Sequence, residues 1–249
     1  MTIMDDPKSF LGSNTTVQGT EHVKLTLKAY IDRLAAKYLP KPLPTYAVRR
    51  ATASKALHVA YEKALDRDET PSKELLARYR SKVGALNYAS PNVRPDVAQA
   101  VGLLARALTF PTEELDLLAD DIIVKLAHTS TEGLEFRKIP SPTLKAYSDS
   151  DWCVRHSTSG WLIYFGNVLV GHGSKRQQCI AMSSTEAEII AASHAAVEIV
   201  YFRGLLNEMG VPQEQPTVLK VENTGAIELS KHRKSCNKSR HVDRRYLVL

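Results

Sequence analysis

Apolar residues recur at three- and four-residue steps through the first half of the chain, and at alternating or contiguous positions through the second. In residues 21–39, Val23, Leu27, Tyr30, Ile31 and Leu34 share one side of a helical wheel, which predicts an amphipathic helix. The PKPLP segment from Pro40 to Pro44 cannot continue it. Residues 72–88 repeat the helical spacing through Leu76, Tyr79, Val83 and Leu86, and Asn92 to Pro95 interrupt it. Asp96 is placed to cap a further helix reaching about Leu108. Pro111-Thr112 opens another, with Glu113 and Glu114 in the first turn, where the helix dipole favours acids. Up to about Ser130 the expectation is mostly helical. The polar first twenty residues read as a lead-in or the end of a strand.

The period changes after Ile139-Pro140-Ser141-Pro142. LKAYSDSDW, GWLIYFG and NVLVGHGS read as strands, with Gly166-Asn167 as the hairpin turn between the last two. A long helix follows from about Ser184 to Met209. Ser183 to Glu186 form a capping box at its start and Gly210 stops it. TVLKVEN is a further strand, and Thr224 to Ser230 a short helix. Three meandering strands, then helix, strand and helix, make an α/β arrangement.

Bulk properties narrow this picture only slightly. With 249 residues the chain has room for one large domain or two small ones. No apolar run in the sequence approaches the roughly 20 residues of a membrane span, and the N-terminus lacks a signal-peptide layout. Cys153, Cys179 and Cys236 are too few for a disulfide framework, and the spacing of His232, Cys236 and His241 matches no common zinc site. The expectation is an intracellular protein, cytoplasmic or nuclear, with no membrane partner. The net charge is +6, concentrated in KHRKSCNKSRHVDRR, where Asp243 is the one acid; such a cluster suits a phosphate backbone.

Four acids occupy positions from which carboxylates can converge at a sheet edge: Asp149, Glu188, Glu222 and Asp243. Clustered hard oxygen ligands hold Mg²⁺ or Mn²⁺, and two such ions about 4 Å apart can hydrolyse a phosphodiester. Glu186 is better explained by the capping box. Ser157 and Ser159 sit near a turn, where hydroxyls usually bond their own backbone. His194, among alanines, reads as a packed histidine. Trp152 and Trp161 read as core, with a stacking role open to Trp152. Lys175, Arg176 and Arg240 are candidate phosphate contacts.

YSDSDW, STSGWLIYFG, SSTEAEIIAASHAAVEIVYFRGLL, VENTGAIELS and KSRHVDRRY, in this order, resemble the ribonuclease H domain of copia-type retrotransposon polyproteins. Residues 78–106 and the FLG near residue 11 resemble the segment around the end of the reverse transcriptase region. The resemblance implies a ribonuclease H-like mixed sheet with flanking helices over 141–249, preceded by a mostly helical thumb- or connection-like segment over 1–140. It implies Asp149, Glu188, Glu222 and Asp243 as catalytic ligands of two Mg²⁺ or Mn²⁺ ions. The substrate implied is an RNA–DNA hybrid, and the upstream polymerase domain is an implied partner. That polymerase's metal-binding core is not among these residues. Asp120-Asp121 and Asp5-Asp6 read as solvated acids, so no polymerase activity is expected. Glu222 departs from the family's Asp, His172 from its Trp, and the chain stops at Leu249. These departures imply a truncated element, with a catalytically decayed nucleic-acid-binding remnant as the alternative to an active endonuclease.

Overall fold

Helices of the first half form where apolar positions repeat at helical spacing and a hydroxyl stands ready at the N-cap. Ser54, Ser72 and Thr112 each accept the backbone N–H three residues on, from Leu57, Leu75 and Leu115. The computed structural model describes residues 9–10, 12–19, 21–44, 53–140, 142–153 and 155–231. Two compact units result, 1–137 and 138–249.

In the first unit, α1 (Lys28–Tyr38), α2 (Lys55–Leu65), α3 (Lys73–Asn92), α4 (Ala98–Arg106) and α5 (Glu113–His128) surround one core. Leu27, Ile31, Leu57, Tyr79, Val83, Leu86, Leu104, Leu115, Ile123 and Leu126 are buried there. The fully buried Tyr79 donates its hydroxyl to the Leu104 carbonyl at 2.8 Å. Two sequence expectations are corrected. The segment is mostly helical and also carries a sheet, in which β1 (Ser9–Phe10), β2 (Ser13–Gln18), β3 (His22–Thr26) and β4 (Gly133–Arg137) pair antiparallel in that order. The helix expected over 21–39 therefore begins only at Lys28; Val23 and Leu25 pair with Phe136 and Leu134 instead. Nor does Asp96 cap α4. It lies in a 3₁₀ turn, Pro95–Val97, and its carboxylate accepts two hydrogen bonds from the buried Arg94.

In the second unit, β5 (Leu144–Asp151), β6 (Thr158–Phe165), β7 (Val168–Arg176) and β8 (Val218–Lys220) form one sheet in the order β7-β6-β5-β8. β5, β6 and β7 are antiparallel neighbours, while β8 runs parallel to β5. The expected long and short helices become α6 (Ser184–Glu208) and α7 (Thr224–Lys231). This is an α/β mixed sheet with flanking helices, the architecture expected of this half. Leu144, Ala146 and Ile163 pack under Ile199 and Leu206 of α6. Gly166, at φ +65°, makes the expected hairpin turn. Gly171 leaves room for the Phe202 ring, which a Cβ there would meet at 2.6 Å. Although no apolar run stood out in the sequence, α6 is long and apolar enough to cross a membrane; here it packs on β5 and β6.

Candidate active site

The β5–β8 register assembles the site. Tyr147 and Lys220 are the last paired residues of these parallel strands, and two residues further on stand Asp149 and Glu222. Neighbouring strands lie about 4.8 Å apart, so both acids belong to the same end of the sheet. Asp149 sits in the paired part of β5, opposite Gly160. Glu222 lies in the turn between β8 and α7, and its side chain is exposed.

α6 brings in the third acid. Ser183 caps this helix by accepting the Glu186 N–H, and the Glu186 carboxylate accepts the Met182 N–H at 2.7 Å. Glu186 is thus occupied in fixing the helix start, as the capping-box reading expected. Glu188 follows in the same first turns and is 8% exposed. Thr185 Oγ1 donates to Asn223 Oδ1 at 3.5 Å, and Asn223 Oδ1 also accepts the Ala226 N–H at 2.9 Å. Asn223 therefore ties the turn carrying Glu222 to the helix start carrying Glu188, and caps α7 as well.

Asp149 and Glu188 come together, with Asp149 within hydrogen-bond reach of the Glu188 carboxyl. Burial pushes the Glu188 carboxyl above the usual glutamate range, and the Asp149 charge adds to the shift. Glu188 Oε2 is buried without a hydrogen-bond partner. A buried acid oxygen facing a second carboxylate is an arrangement that a hard cation stabilises. The donor chemistry at Asp149 and Glu188 fits such an ion. Among the described residues, however, no three His, Cys, Asp or Glu side chains are grouped closely enough to hold a metal. Glu222 shares the sheet end but does not complete a triad. Asp243 and Arg240, with the rest of the basic segment beyond Lys231, lie outside the described residues.

Lys175 and Arg176 end β7 at the same edge, opposite Ser159 and Thr158, and both are exposed. Ser157 and Ser159 are fully buried, and neither can reach a phosphate. Ser157 Oγ accepts the Cys153 N–H at 3.2 Å, the local backbone bond expected of it. Ser159 Oγ belongs to a network that the sequence did not announce. The fully buried Gln177 donates to Ser159 Oγ at 3.0 Å and to the Ala187 carbonyl at 2.9 Å. His194 Nδ1 lies 3.2 Å from the same hydroxyl. The network thus holds the residue before Glu188 against β6 and β7. No signal in the sequence pointed to it: Gln177 follows the polar end of β7, Ser174-Lys175-Arg176. His194 also packs beside Trp161, with ring centroids 6.0 Å apart. Burial holds its imidazole below the ordinary histidine range, and the Lys175 charge lowers it further. Trp161 joins the core as expected, whereas Trp152 is 48% exposed and does not. Asp120 is likewise not a solvated acid: it accepts from the buried Lys82 at 2.8 Å.

No protein-family model matches the chain. Curated relatives do. The retrovirus-related Pol polyprotein from transposon TNT 1-94 of Nicotiana tabacum is 32% identical over 219 residues, 84% of this chain and 16% of that protein. The retrovirus-related Pol polyprotein from transposon RE1 of Arabidopsis thaliana is 33% identical over 66% of this chain and 11% of that protein. Secreted RxLR effector protein 161 of Plasmopara viticola is 39% identical over 127 residues, 49% of this chain and 89% of that protein. Among solved structures, the foamy viral protease-reverse transcriptase in complex with dsDNA aligns with a TM-score of 0.36 at 12% identity, over 73% of this chain and 37% of that one. The chain spans less than a fifth of the length of the two polyproteins. At about a third of positions identical over most of its residues, it belongs to the family of retrovirus-related Pol polyproteins of transposons.

Proposed function

We propose that the second unit is a ribonuclease H-type endonuclease module that hydrolyses the RNA strand of an RNA–DNA hybrid. The observation carrying this reading is the contact between Asp149 and Glu188, with the buried Glu188 Oε2 left without a partner, at the sheet end that also carries Glu222. Asp149, Glu188, Glu222 and Asp243 are the residues that would hold two Mg²⁺ or Mn²⁺ ions. Ions bound there would activate a water and stabilise the leaving oxygen of the phosphodiester. The protein's own part is positional. Ser183 and Glu186 fix the start of α6, Gln177 holds the Ala187 carbonyl, and Asn223 fixes the β8–α7 turn. Lys175, Arg176 and Arg240 are proposed to take phosphates along the duplex. The 2′-hydroxyl, displayed in the wide minor groove, would mark the RNA strand. The remainder of the polyprotein, including its polymerase, is the proposed partner, and an intracellular, cytoplasmic or nuclear setting goes with it.

The test is cleavage of a labelled RNA–DNA hybrid by the whole chain with Mg²⁺ or Mn²⁺, beside Asp149→Asn and Glu222→Asp. The expected result is cleavage that Asp149→Asn abolishes, a loss of about 100-fold or more. Silence of the parent with activity in Glu222→Asp assigns the chain to the decayed remnant, since glutamate carries its carboxylate one methylene further out. Cleavage that persists in Asp149→Asn overturns the ligand assignment.

A further inference from the structure

Three exposed apolar side chains stand in two short loops beside the acid pair. Trp152 is 48%, Ile180 55% and Met182 74% exposed. The loops are adjacent because β5, β6 and β7 end in register: Asp151 pairs with Thr158, and Thr158 with Arg176. Beyond those pairs the loops stay joined. The Gln177 N–H donates to the Ser157 carbonyl at 2.8 Å, and His156 Nδ1 lies 3.1 Å from the Gln177 carbonyl. The Trp152 indole N–H donates to the Ala181 carbonyl at 3.2 Å, between Ile180 and Met182 in sequence. That bond holds the ring in place with about half its surface open. Met182 is in turn fixed through its N–H by Glu186, two residues before Glu188. On one side of this ledge lies the Asp149–Glu188 pair, and Lys175 and Arg176 end the neighbouring strand.

We infer that Trp152, Ile180 and Met182 form a rigid apolar ledge that seats against the sugars and bases in the minor groove of an RNA–DNA hybrid. The inference rests on the proposed function for the identity of the duplex. Charge complementarity favours nucleic acid over a second copy of the chain, because the exposed Lys175 and Arg176 share this edge and phosphates would neutralise them. The groove geometry agrees. An A-like duplex has a wide, shallow minor groove, which accepts apolar and aromatic side chains that its deep major groove would not. An indole already fixed by a hydrogen bond loses little freedom on binding, so its contact with sugar and base is retained as affinity. Phosphate contacts alone would leave affinity governed by salt; the ledge adds a component that salt does not screen.

The experiment measures hybrid affinity by anisotropy over a salt series, in an Asp149→Asn background that prevents cleavage. Trp152→Ala and the double variant Ile180→Ala/Met182→Ala are expected to weaken binding about tenfold each without changing the salt slope. Trp152→Phe, which keeps a ring, is expected to retain most of the affinity. Lys175→Ala/Arg176→Ala is expected to flatten the slope instead. The double variant keeps the indole–Ala181 bond, so a folding defect in Trp152→Ala does not decide the matter. Unchanged affinity in the double variant and in folded Trp152→Ala overturns the inference, as does a parent that binds no hybrid. A concentration-dependent dimer that disperses in Trp152→Ala, without nucleic acid, also overturns it and assigns the ledge to a second copy. Ledge-dependent binding by a parent that never cleaves would sink the endonuclease reading while leaving the ledge standing.

Discussion

The two units treat buried charge in opposite ways. In the first, Lys82 is buried on α3 and its ammonium donates to Asp116 at 2.9 Å and Asp120 at 2.8 Å; Arg78 reaches Asp116 at 2.7 Å and Glu113 at 2.6 Å. Arg94, nearly inaccessible, is held by Asp96 and by the Thr129 hydroxyl and carbonyl. Among the described residues both buried cations there, Lys82 and Arg94, meet a carboxylate, and the Lys82 and Arg78 pairs fasten α3 to α5. The second unit buries two acids: Glu186 accepts a backbone N–H, whereas Glu188 meets another acid, and no cation among the described residues is hydrogen-bonded to it. Its apolar core is also divided into small clusters, where the first unit has one. A fold that pairs its charges gains rigidity. One that leaves a carboxylate unpaired retains a place for an exogenous charge, at a cost in stability.

The sharpest way to break this contrast is to unpair the first unit. Lys82→Ala leaves Asp116, 3% exposed, and the half-buried Asp120 facing each other without the ammonium between them. Burial, together with the Asp116 charge, already holds Asp120 above the usual aspartate range despite Lys82. Removing one partner of a buried pair costs about 3–5 kcal/mol. Native-state hydrogen exchange should show that loss in α3 and α5 and leave β5–α6 unaffected. The double variant Lys82→Met/Asp116→Leu should recover part of it, because the fully buried carboxylate is then gone and only the half-buried Asp120 has lost its ammonium. Equal loss of protection in both units would mean that they do not respond separately.

How much of this was legible follows the range of the interactions. α3, α5 and α6 could be read because their signals are local: Thr112 and Ser183 are caps within one turn of the apolar stripe they start. The β6–β7 hairpin was readable for the same reason, through Gly166. The first unit's sheet was not, since β3 pairs with β4 more than a hundred residues away, and Val23 and Leu25 also satisfy a helical period. At the site, five motif blocks pointed to Asp149 and Glu188. The arrangement of their supports depends on contacts between β6, β7 and α6 that no local spacing encodes. Nothing in the spacing around Gln177 shows that its amide reaches both Ser159 and Ala187.

The second unit offers the reverse change, a stabilisation. Burial raises the Glu188 carboxyl, so the folded unit favours its protonated form. Stability from this group is complete below the ordinary glutamate range and falls as pH rises through that range to the raised value. Glu188→Gln keeps the shape and removes the charge. At neutral pH it should stabilise the metal-free chain by roughly 0.5–2 kcal/mol and flatten this part of the pH profile. Mg²⁺ should then raise the Tm of the parent but not that of the variant, because binding only to the native state stabilises it. A variant less stable than the parent at pH 7 would show that the Glu188 charge is compensated within the fold, and the contrast between the units would fail.

The smallest effect concerns His194, where the second unit again places like charge near a half-buried group. Burial, and then Lys175, hold its imidazole below the ordinary histidine range. The folded unit therefore prefers neutral His194, while the unfolded chain takes up a proton as pH falls through about 6.5. The stability involved is present above that pH and is lost as pH falls toward the lowered folded value. One pKa unit corresponds to about 1.4 kcal/mol, and a partly exposed imidazole should contribute less than that. Asparagine offers an amide near the position of Nδ1, so His194→Asn can keep the contact with Ser159 Oγ while removing the titration. Between about pH 6.5 and 5 the variant should lose less stability than the parent. Lys175→Gln should move the His194 titration, followed by NMR of its ring protons, up toward the ordinary value. A His194 titration unmoved by Lys175→Gln would leave burial as its one cause, and Lys175 would then act on solvent and ligands alone.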